Sequence, residues 1–380
     1  MNAKKKTAIM YGAGNIGRGF IGQVLHDSGY EVVFIDVDQR LVSTLNEHNS
    51  YTQLIVDGDN KTCREISGIR AVDGNNKNAV VKEIAACDIM AVSVGAAVLP
   101  YIAPIIAEGI ALREQPLNIL VCENLAHAPD IFRKHISEYI SDTKILDRIG
   151  FVGTTIGRMV PVMSQQQREE NPSLITVEPF CTLPIDADAV VKPSPDLQHT
   201  IFCSPFAFEE SKKLYIHNMG HALAAYFGFM QGYTFIWQAM DDKSISEKVF
   251  NAMSATAEAL ARKYNEDRCK LNAYVNGLLI RFGNKALGDT VARVGGDPLR
   301  KLAPGDRLIG AIELCVELRI GYSPLLYAVA AALRFDVPED PSASQLQKIL
   351  RTKGIVDFLC HNCGLSAADA ENVQLMYLSF

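Results

Sequence analysis

The chain has 380 residues, of which 48% are hydrophobic and 21% charged, a composition typical of a globular protein long enough for two domains. Its formal net charge of −6 gives no bulk attraction for nucleic acids or acidic membranes. Because no uncharged apolar run reaches the roughly 18 residues of a membrane span and no signal peptide is evident, a cytoplasmic protein is expected.

The first half of the chain predicts alternating strands and helices. An apolar run at residues 7–11 precedes a glycine-rich turn, a helix-like stretch that ends at Gly29, and a second strand at 31–35. Further strands are predicted at 89–94, 118–123, 145–153 and 174–180, the last as an antiparallel extension. This alternation indicates an α/β domain with a Rossmann-type, doubly wound parallel sheet.

After about residue 195 the apolar residues recur with a spacing near 3.6, which is typical of helices. Helices are predicted at 207–230, 244–264, 270–282, 306–319 and 322–334. The polar stretch 190–200 carries two prolines and suits a linker. The sequence therefore predicts a Rossmann-type domain over 1–195, of the kind that binds a dinucleotide, and a mainly α-helical domain over 196–380.

The turn Gly12-Ala13-Gly14-Asn15-Ile16-Gly17 fits the dinucleotide-binding pattern G-x-G-x-x-G, with a strand before it and a helix after it. Gly12 permits the tight turn, Gly14 lets the backbone approach a pyrophosphate, and Gly17 lets the helix pack against the strand. Asp36 ends the second strand, where a carboxylate accepts hydrogen bonds from ribose hydroxyls and repels a 2′-phosphate. The pattern predicts NAD as the cofactor; the alternative is a glycine turn followed by an ordinary exposed Asp.

Two later strand ends are predicted to line the same crevice, because ligands of doubly wound sheets bind at the carboxyl ends of the strands. Val94 and Gly95 lie at the end of strand 89–94, and Glu123 and Asn124 at the end of strand 118–123. Asn124 suits either a nicotinamide ribose or a substrate hydroxyl. The alternative for Asn124 is an ordinary turn-forming residue.

The helical segment that begins at Lys213 carries the candidate chemistry. On an α-helix Asn218 lies about 140° and His221 about 80° from Lys213, so all three side chains can face one cavity. Oxidation of an alcohol needs a base for the hydroxyl proton and donors that hold the oxygen, and a desolvated lysine is a usable base. The alternative is a surface lysine, a capping asparagine and a core histidine.

Taken together, these segments resemble the mannitol dehydrogenase family, the polyol-specific long-chain dehydrogenases. The resemblance covers almost the whole chain and is carried by GAGNIGRGFIG (12–22), CEN (122–124), KLYIHNMGH (213–221) and ARVGGDPLRKLAPGDRLI (292–309). It implies a zinc-independent, NAD-dependent enzyme in which Lys213 is the general acid/base and Asn218 and His221 bind the substrate oxygen. No metal is therefore expected, and Cys360-x-x-Cys363 has no second ligand pair in the sequence.

The basic residues of the last segment bear on the substrate. Arg293 and Lys301 match the basic substrate-binding pair of the family, and Arg300 beside Lys301 is the feature expected where the substrate carries a phosphate. Arg307 belongs to the same basic cluster. The chain length also fits the phosphate-specific branch, so the resemblance implies interconversion of a sugar-alcohol phosphate and a ketose phosphate, such as mannitol 1-phosphate and fructose 6-phosphate. The alternative is a solvated basic stretch that closes a helix.

One segment departs from the family pattern. The family usually reads V-D-R-[IV]-x-P where this chain has Ile156-Gly157-Arg158-Met159-Val160-Pro161, so its Asp is replaced by Gly157. This leaves open a dehydrogenase of a free polyol or a reductase of a hexuronate, and, with less support, a non-catalytic NAD-sensing regulator. In each case the expected partner is a small molecule, and the protein a monomer or a small homo-oligomer.

Overall fold

The computed structural model describes residues 5–161, 163 and 165–380. The chain divides into two compact units, of which the first ends at Ala207 and the second comprises Phe208–Phe380. Every helix in the described residues is too short or too polar to cross a membrane.

The first unit alternates strands and helices along the chain. Its strands are β1 (Thr7–Tyr11), β2 (Glu31–Asp36), β3 (Ser50–Asp57), β4 (Asn60–Ser67), β5 (Ile69–Asp73), β6 (Ile89–Val92), β7 (Leu117–Val121), β8 (Ile149–Gly153), β9 (Leu174–Val177), β10 (Leu183–Asp186) and β11 (Thr200–Cys203). Its helices are α1 (Gly22–Asp27), α2 (Gln39–His48), α3 (Lys77–Ala86), α4 (Leu99–Ala111), α5 (Ala128–Ser137) and α6 (Gln165–Glu170), with a π-helical turn at Gly17–Ile21 and 3₁₀ turns at Ala96–Val98 and Thr143–Arg148.

The main sheet has the strand order β5-β2-β1-β6-β7-β8, with all neighbouring strands parallel. Apolar side chains cover both of its faces, and β6 and β7 are buried along their whole length. Strands buried on both faces read as continuous apolar runs, which is why the sequence located them. The doubly wound Rossmann-type sheet is confirmed.

A second, smaller sheet was not predicted. β3 pairs antiparallel with β4 and parallel with β9. The predicted strand at 174–180 is thus present as β9, but the expectation of an antiparallel extension is wrong, because β9 joins β3 in parallel rather than the main sheet. The hairpin escaped prediction because β4 is mostly exposed and polar.

The predicted linker lies against the first unit. The side-chain amide of Asn118 on β7 exchanges two hydrogen bonds of 2.9 Å with the backbone of Val191. Further along, β11 pairs in parallel with β10. These contacts attach the chain up to Cys203 to the first unit.

The second unit is helical, which confirms the predicted fold class. Its helices are α7 (Ala207–Lys212), α8 (Met219–Met230), α9 (Ile236–Asp241), α10 (Lys243–Tyr264), α11 (Arg268–Phe282), α12 (Val291–Gly295), α13 (Pro298–Lys301), α14 (Ile309–Glu317), α15 (Ser323–Leu333), α16 (Pro341–Lys353), α17 (Ile355–His361) and α18 (Ala367–Ser379), with a π-helical turn at Lys213–Asn218 and a 3₁₀ turn at Lys285–Leu287. The apolar α8 is buried over nearly its whole length and forms the centre of this unit.

Candidate functional site

The glycine-rich turn places its three glycines in different surroundings. A Cβ atom at Gly12, where φ is +98°, would lie 2.2 Å from the carbonyl oxygen of Ser93, and one at Gly17 would lie 2.0 Å from the carbonyl oxygen of Gly12. Apart from its chain neighbours, no described residue comes within 4 Å of a Cβ built at Gly14. Neighbouring backbone thus leaves no room for a side chain at Gly12 or Gly17, whereas the space beside Gly14 is open. A backbone that receives a pyrophosphate needs such an open position.

Asp36 joins this turn to the end of β2. Its Oδ2 accepts a hydrogen bond of 2.7 Å from the N–H of Ala13, and its Oδ1 accepts one of 3.0 Å from the N–H of Asp38. A carboxylate offers about four acceptor positions, so both oxygens retain capacity for a ribose hydroxyl. The residues of the turn and Asp36 therefore fit a dinucleotide, although their role in binding stays a prediction.

The helix after the turn begins with the π-helical turn Gly17–Ile21, which widens the backbone and redirects its carbonyls. Two of these carbonyls are satisfied by side chains from other segments. The carbonyl of Arg18 accepts 2.8 Å hydrogen bonds from the hydroxyl of Tyr51 and from the side chain of Gln53. The carbonyl of Gly19 accepts a 2.9 Å hydrogen bond from the guanidinium of Arg158. The hairpin and the segment around Arg158 thereby stabilise the cofactor helix.

Glu123 connects the ends of β6 and β7. Its Oε1 accepts hydrogen bonds of 2.8 Å from the N–H of Val94 and 3.0 Å from the N–H of Gly95. Burial raises the pKa of Glu123, and these two hydrogen bonds oppose that effect. The structure thus brings these three predicted residues together, and Asn124 follows them at an exposed position.

The segment Lys213–Asn218 is a π-helical turn rather than the regular α-helix assumed in the angular prediction. The N–H of Met219 donates to the carbonyl of Leu214, five residues earlier. A turn closed by such bonds rotates less per residue than an α-helix, so residues five apart are offset by a smaller angle. The predicted offset of about 140° between Lys213 and Asn218 is therefore wrong, and the two residues lie closer to one face than an α-helix allows.

The two consecutive lysines of this segment differ in environment. The ammonium of Lys212 forms an ion pair of 2.6 Å with Glu209 and lies 5.2 Å from the ring centres of Phe208 and Tyr274. Burial, aided by the positive charge of Arg307, lowers the pKa of Lys213 to about 8. Lys213 is therefore the lysine whose environment suits proton transfer near neutral pH.

Asp289 links two of the predicted site residues. Its carboxylate lies 3.4 Å from Nε2 of His221 and also forms an ion pair with the guanidinium of Arg293. The ring of His221 stacks on Phe282 with an interplanar angle of 8° and a centroid distance of 4.8 Å. Although burial raises the pKa of Asp289, the hydrogen bonds from His221 and Arg293 prevail and lower it. Nothing in the sequence marked Asp289, because its partner His221 is distant along the chain.

His217 is a further buried residue that the prediction did not include. Its Nδ1 has no hydrogen-bond partner among the described residues. Burial and the nearby charge of Arg281 lower the pKa of His217 well below its usual value, so its ring is neutral at neutral pH. The ring packs against Phe282, with centroids 5.7 Å apart, beside His221.

The basic segment separates into exposed and buried cations. Arg300 is exposed, and its guanidinium lies 2.6 Å from Asp297 and 3.5 Å from Asp306. Lys301 and Arg307 are buried, and Arg307 donates from Nε to Asp306 at 2.9 Å. Burial and the charge of Arg307 lower the pKa of Lys301 to about 7. The sequence indicated Arg307 only as one of several basic residues, because burial cannot be read from a charged segment.

The described residues contain no cluster of three or more His, Cys, Asp or Glu side chains arranged to hold a metal ion. Cys363 of the C-x-x-C pair is buried, and burial raises the pKa of its thiol to about 12. A thiol with so high a pKa is a poor metal ligand, because metals bind the thiolate.

Comparison with known proteins assigns both halves of the chain to one family. Residues 6–199 match the mannitol dehydrogenase Rossmann domain, and residues 206–355 match the mannitol dehydrogenase C-terminal domain. A mannitol-1-phosphate 5-dehydrogenase of Brevibacillus brevis is 36% identical over 364 residues, which cover 94% of this chain and 92% of the relative. One of an Arthrobacter species is 39% identical over 350 residues, with 90% of each chain covered.

Solved structures show the same fold. The ternary complex of Pseudomonas fluorescens mannitol 2-dehydrogenase with NAD and D-mannitol superimposes with a TM-score of 0.74 at 16% identity, covering 99% of this chain and 92% of that one. A substrate-free D-sorbitol dehydrogenase superimposes with a TM-score of 0.78, also at 16% identity and with the same coverage. Two family models that together span most of the chain, and relatives above 30% identity over nine-tenths of it, confirm the resemblance. The chain belongs to the mannitol dehydrogenase family.

Proposed function

We propose that this protein is an NAD-dependent dehydrogenase that oxidises carbon 5 of mannitol 1-phosphate and reduces fructose 6-phosphate in the reverse direction. The support comes from the relatives named mannitol-1-phosphate 5-dehydrogenase, which align over nine-tenths of the chain or more. Oxidation of that carbon gives a ketone which, numbered from the nearer end, is fructose 6-phosphate. The substrate is a small molecule, and the enzyme acts in the cytoplasm as a monomer or a small homo-oligomer.

The observation that carries the proposal is the desolvated amine of Lys213 on its π-helical turn. In alcohol oxidation this amine accepts the hydroxyl proton while the C–H bond breaks and the carbonyl forms. Asn218 and His221 donate hydrogen bonds to the substrate oxygen, and Asp289 holds the ring of His221. In ketone reduction the protonated amine returns the proton to the oxygen.

NAD, when bound, supplies the hydride acceptor. The turn from Gly12 to Gly17 would hold its pyrophosphate at the open position of Gly14, and Asp36 would accept hydrogen bonds from the adenosine ribose. The backbone at Val94 and Gly95, held by Glu123, forms the next wall of the cofactor site.

In the first unit, Asn124 is the candidate for binding a nicotinamide ribose or a substrate hydroxyl. In the second unit, the basic residues Arg293, Arg300 and Lys301 are the candidates for binding the phosphorylated substrate. The charge-assisted hydrogen bonds of these cations suit a phosphate better than a neutral polyol. The relatives also carry the phosphorylated substrate in their names.

One observation favours a different substrate. Gly157 stands where the family pattern has Asp, so this chain lacks a carboxylate at that position. The experiment that separates the readings is a panel of fructose 6-phosphate, free ketoses and keto-hexonates with NADH, followed by loss of NADH absorbance. The proposal requires fructose 6-phosphate to have the highest kcat/KM; a higher value for a free ketose or a keto-acid would assign the alternative substrate.

A further inference from the structure

Lys301 is a buried lysine whose side chain has no hydrogen-bond partner among the described residues. Lys301 is 5% exposed, at the end of the short helix α13, and its side chain has no hydrogen bond or ion pair with any described residue. A buried charge without a partner is costly, so proteins pair such groups or use them to bind a ligand. The neutral form that a pKa of about 7 makes accessible reduces this cost in the ligand-free protein.

A second buried cation lies in the same segment. Arg307 is 9% exposed, and its Nε donates to Asp306 at 2.9 Å. Its two terminal nitrogens have no hydrogen bond with the described residues. This leaves the fork of the guanidinium, which matches a phosphate in geometry, available beside Lys301.

A buried hydroxyl adds a third donor. Tyr226 on α8 is 0% exposed, and its hydroxyl has no partner in the described part of the chain. Its ring packs edge-on against Phe335, which also contacts Gly295 at the start of this basic segment. Burial raises the pKa of Tyr226, and the positive charges of Arg307 and Arg300 oppose this effect. A buried hydroxyl without a partner points to an acceptor that arrives with a ligand.

Arg300 is arranged differently. Its guanidinium is half exposed and already engaged by Asp297 and Asp306. A phosphate bound by Arg300 would have to displace these two carboxylates. Lys301 has no such ion pair, and Arg307 bonds to Asp306 through Nε alone.

We propose that Lys301, Arg307 and the hydroxyl of Tyr226 form the pocket that binds the terminal phosphate of the substrate, and that Arg300 supports this pocket through Asp306. The inference rests on the proposed function, because it names the residues that would make this site select a phosphorylated substrate. The phosphate brings two negative charges to a site where Lys301, the terminal nitrogens of Arg307 and the hydroxyl of Tyr226 have no acceptor among the described residues. Each charge-assisted hydrogen bond formed there gives an acceptor to a donor that has none in the ligand-free protein.

The test measures binding of inorganic phosphate by calorimetry to the enzyme saturated with NADH, so that the glycine-rich turn is occupied. Arg307→Met and Lys301→Met should each weaken phosphate binding at least about tenfold. Tyr226→Phe should weaken it about threefold to tenfold and leave the melting temperature unchanged or higher, because it removes a polar group that has no partner in the free protein. Arg351→Gln, a change at an exposed position of α16, is the matched control and should bind phosphate like the wild type.

Arg300→Gln separates this proposal from its nearest alternative. If Arg300→Gln abolished phosphate binding while Arg307→Met and Tyr226→Phe left it intact, the pocket would be misassigned. Wild-type enzyme that binds no inorganic phosphate in the presence of NADH would also overturn the proposal. Failure of the proposed function has a different signature, because the wild type would then bind phosphate at this pocket yet turn over free ketoses faster than fructose 6-phosphate.

Discussion

Proton transfer by Lys213 predicts a specific dependence of the reaction on pH. Burial and the charge of Arg307 lower the pKa of Lys213 from 10.5 to about 8. This lowering raises the deprotonated fraction at neutral pH by a factor of about 300. Since oxidation needs the neutral amine, its kcat/KM should rise with pH and level off above about 8; reduction needs the protonated amine and should fall over the same range.

Replacement of Lys213 by alanine should lower kcat by at least about a hundredfold, the usual scale for a lost general base, and remove the inflection near pH 8. Binding of NADH, measured by its fluorescence, should persist. Lys212→Ala is the matched control, since that lysine is paired with Glu209, and it should retain activity within a few-fold. A larger loss for Lys212→Ala than for Lys213→Ala, or an inflection that survives in Lys213→Ala, would refute the assignment.

Three further predictions concern the cofactor site and the positioning of His221. Asp36→Ala should narrow the preference for NADH over NADPH, because the carboxylate that repels a 2′-phosphate is removed. The measurement is the ratio of the kcat/KM values for the two cofactors, and equal kcat/KM values in the wild type would contradict the prediction. Gly14→Ala should raise KM for NADH without lowering the melting temperature, whereas Gly12→Ala should destabilise the fold, since its Cβ would lie 2.2 Å from a carbonyl oxygen. Asp289→Asn should lower kcat by about tenfold to a hundredfold, because a hydrogen bond to a charged group contributes roughly 1.5–3 kcal/mol. KM for NADH should stay constant if Asp289 acts through His221.

The parts of the fold that the sequence predicted are those encoded locally. Buried parallel strands are apolar along their whole length, and the turn at Gly12 needs glycine because of its positive φ. The hairpin of β3 and β4 depends instead on distant partners: β3 is completed by β9, and Tyr51 bonds to a carbonyl of the cofactor helix. A local pattern cannot report such contacts.

The same distinction explains the prediction of the site. The three predicted catalytic residues lie in one short segment, so the pattern of that segment was enough to predict Lys213, Asn218 and His221 together. The π-helical turn that sets their geometry has no signature in the residues themselves. Desolvation lowers the pKa of Lys213, whereas its neighbour Lys212 is paired with Glu209. Burial distinguishes Arg307 from the exposed cations near it. These differences arise only when the helices pack.

The segment that departs from the family pattern at Gly157 keeps the neighbouring Arg158. The retained Arg158 is 4% exposed and donates to the carbonyl of Gly19, to the side chain of Gln23 and to a carbonyl of the segment before β10, so the fold of the cofactor helix depends on it. A Cβ at Gly157 would meet Phe180 at 3.4 Å, an ordinary contact, and the backbone there does not need glycine. An aspartate would therefore be sterically tolerated at its Cβ, and the steric demands of the fold do not explain the glycine.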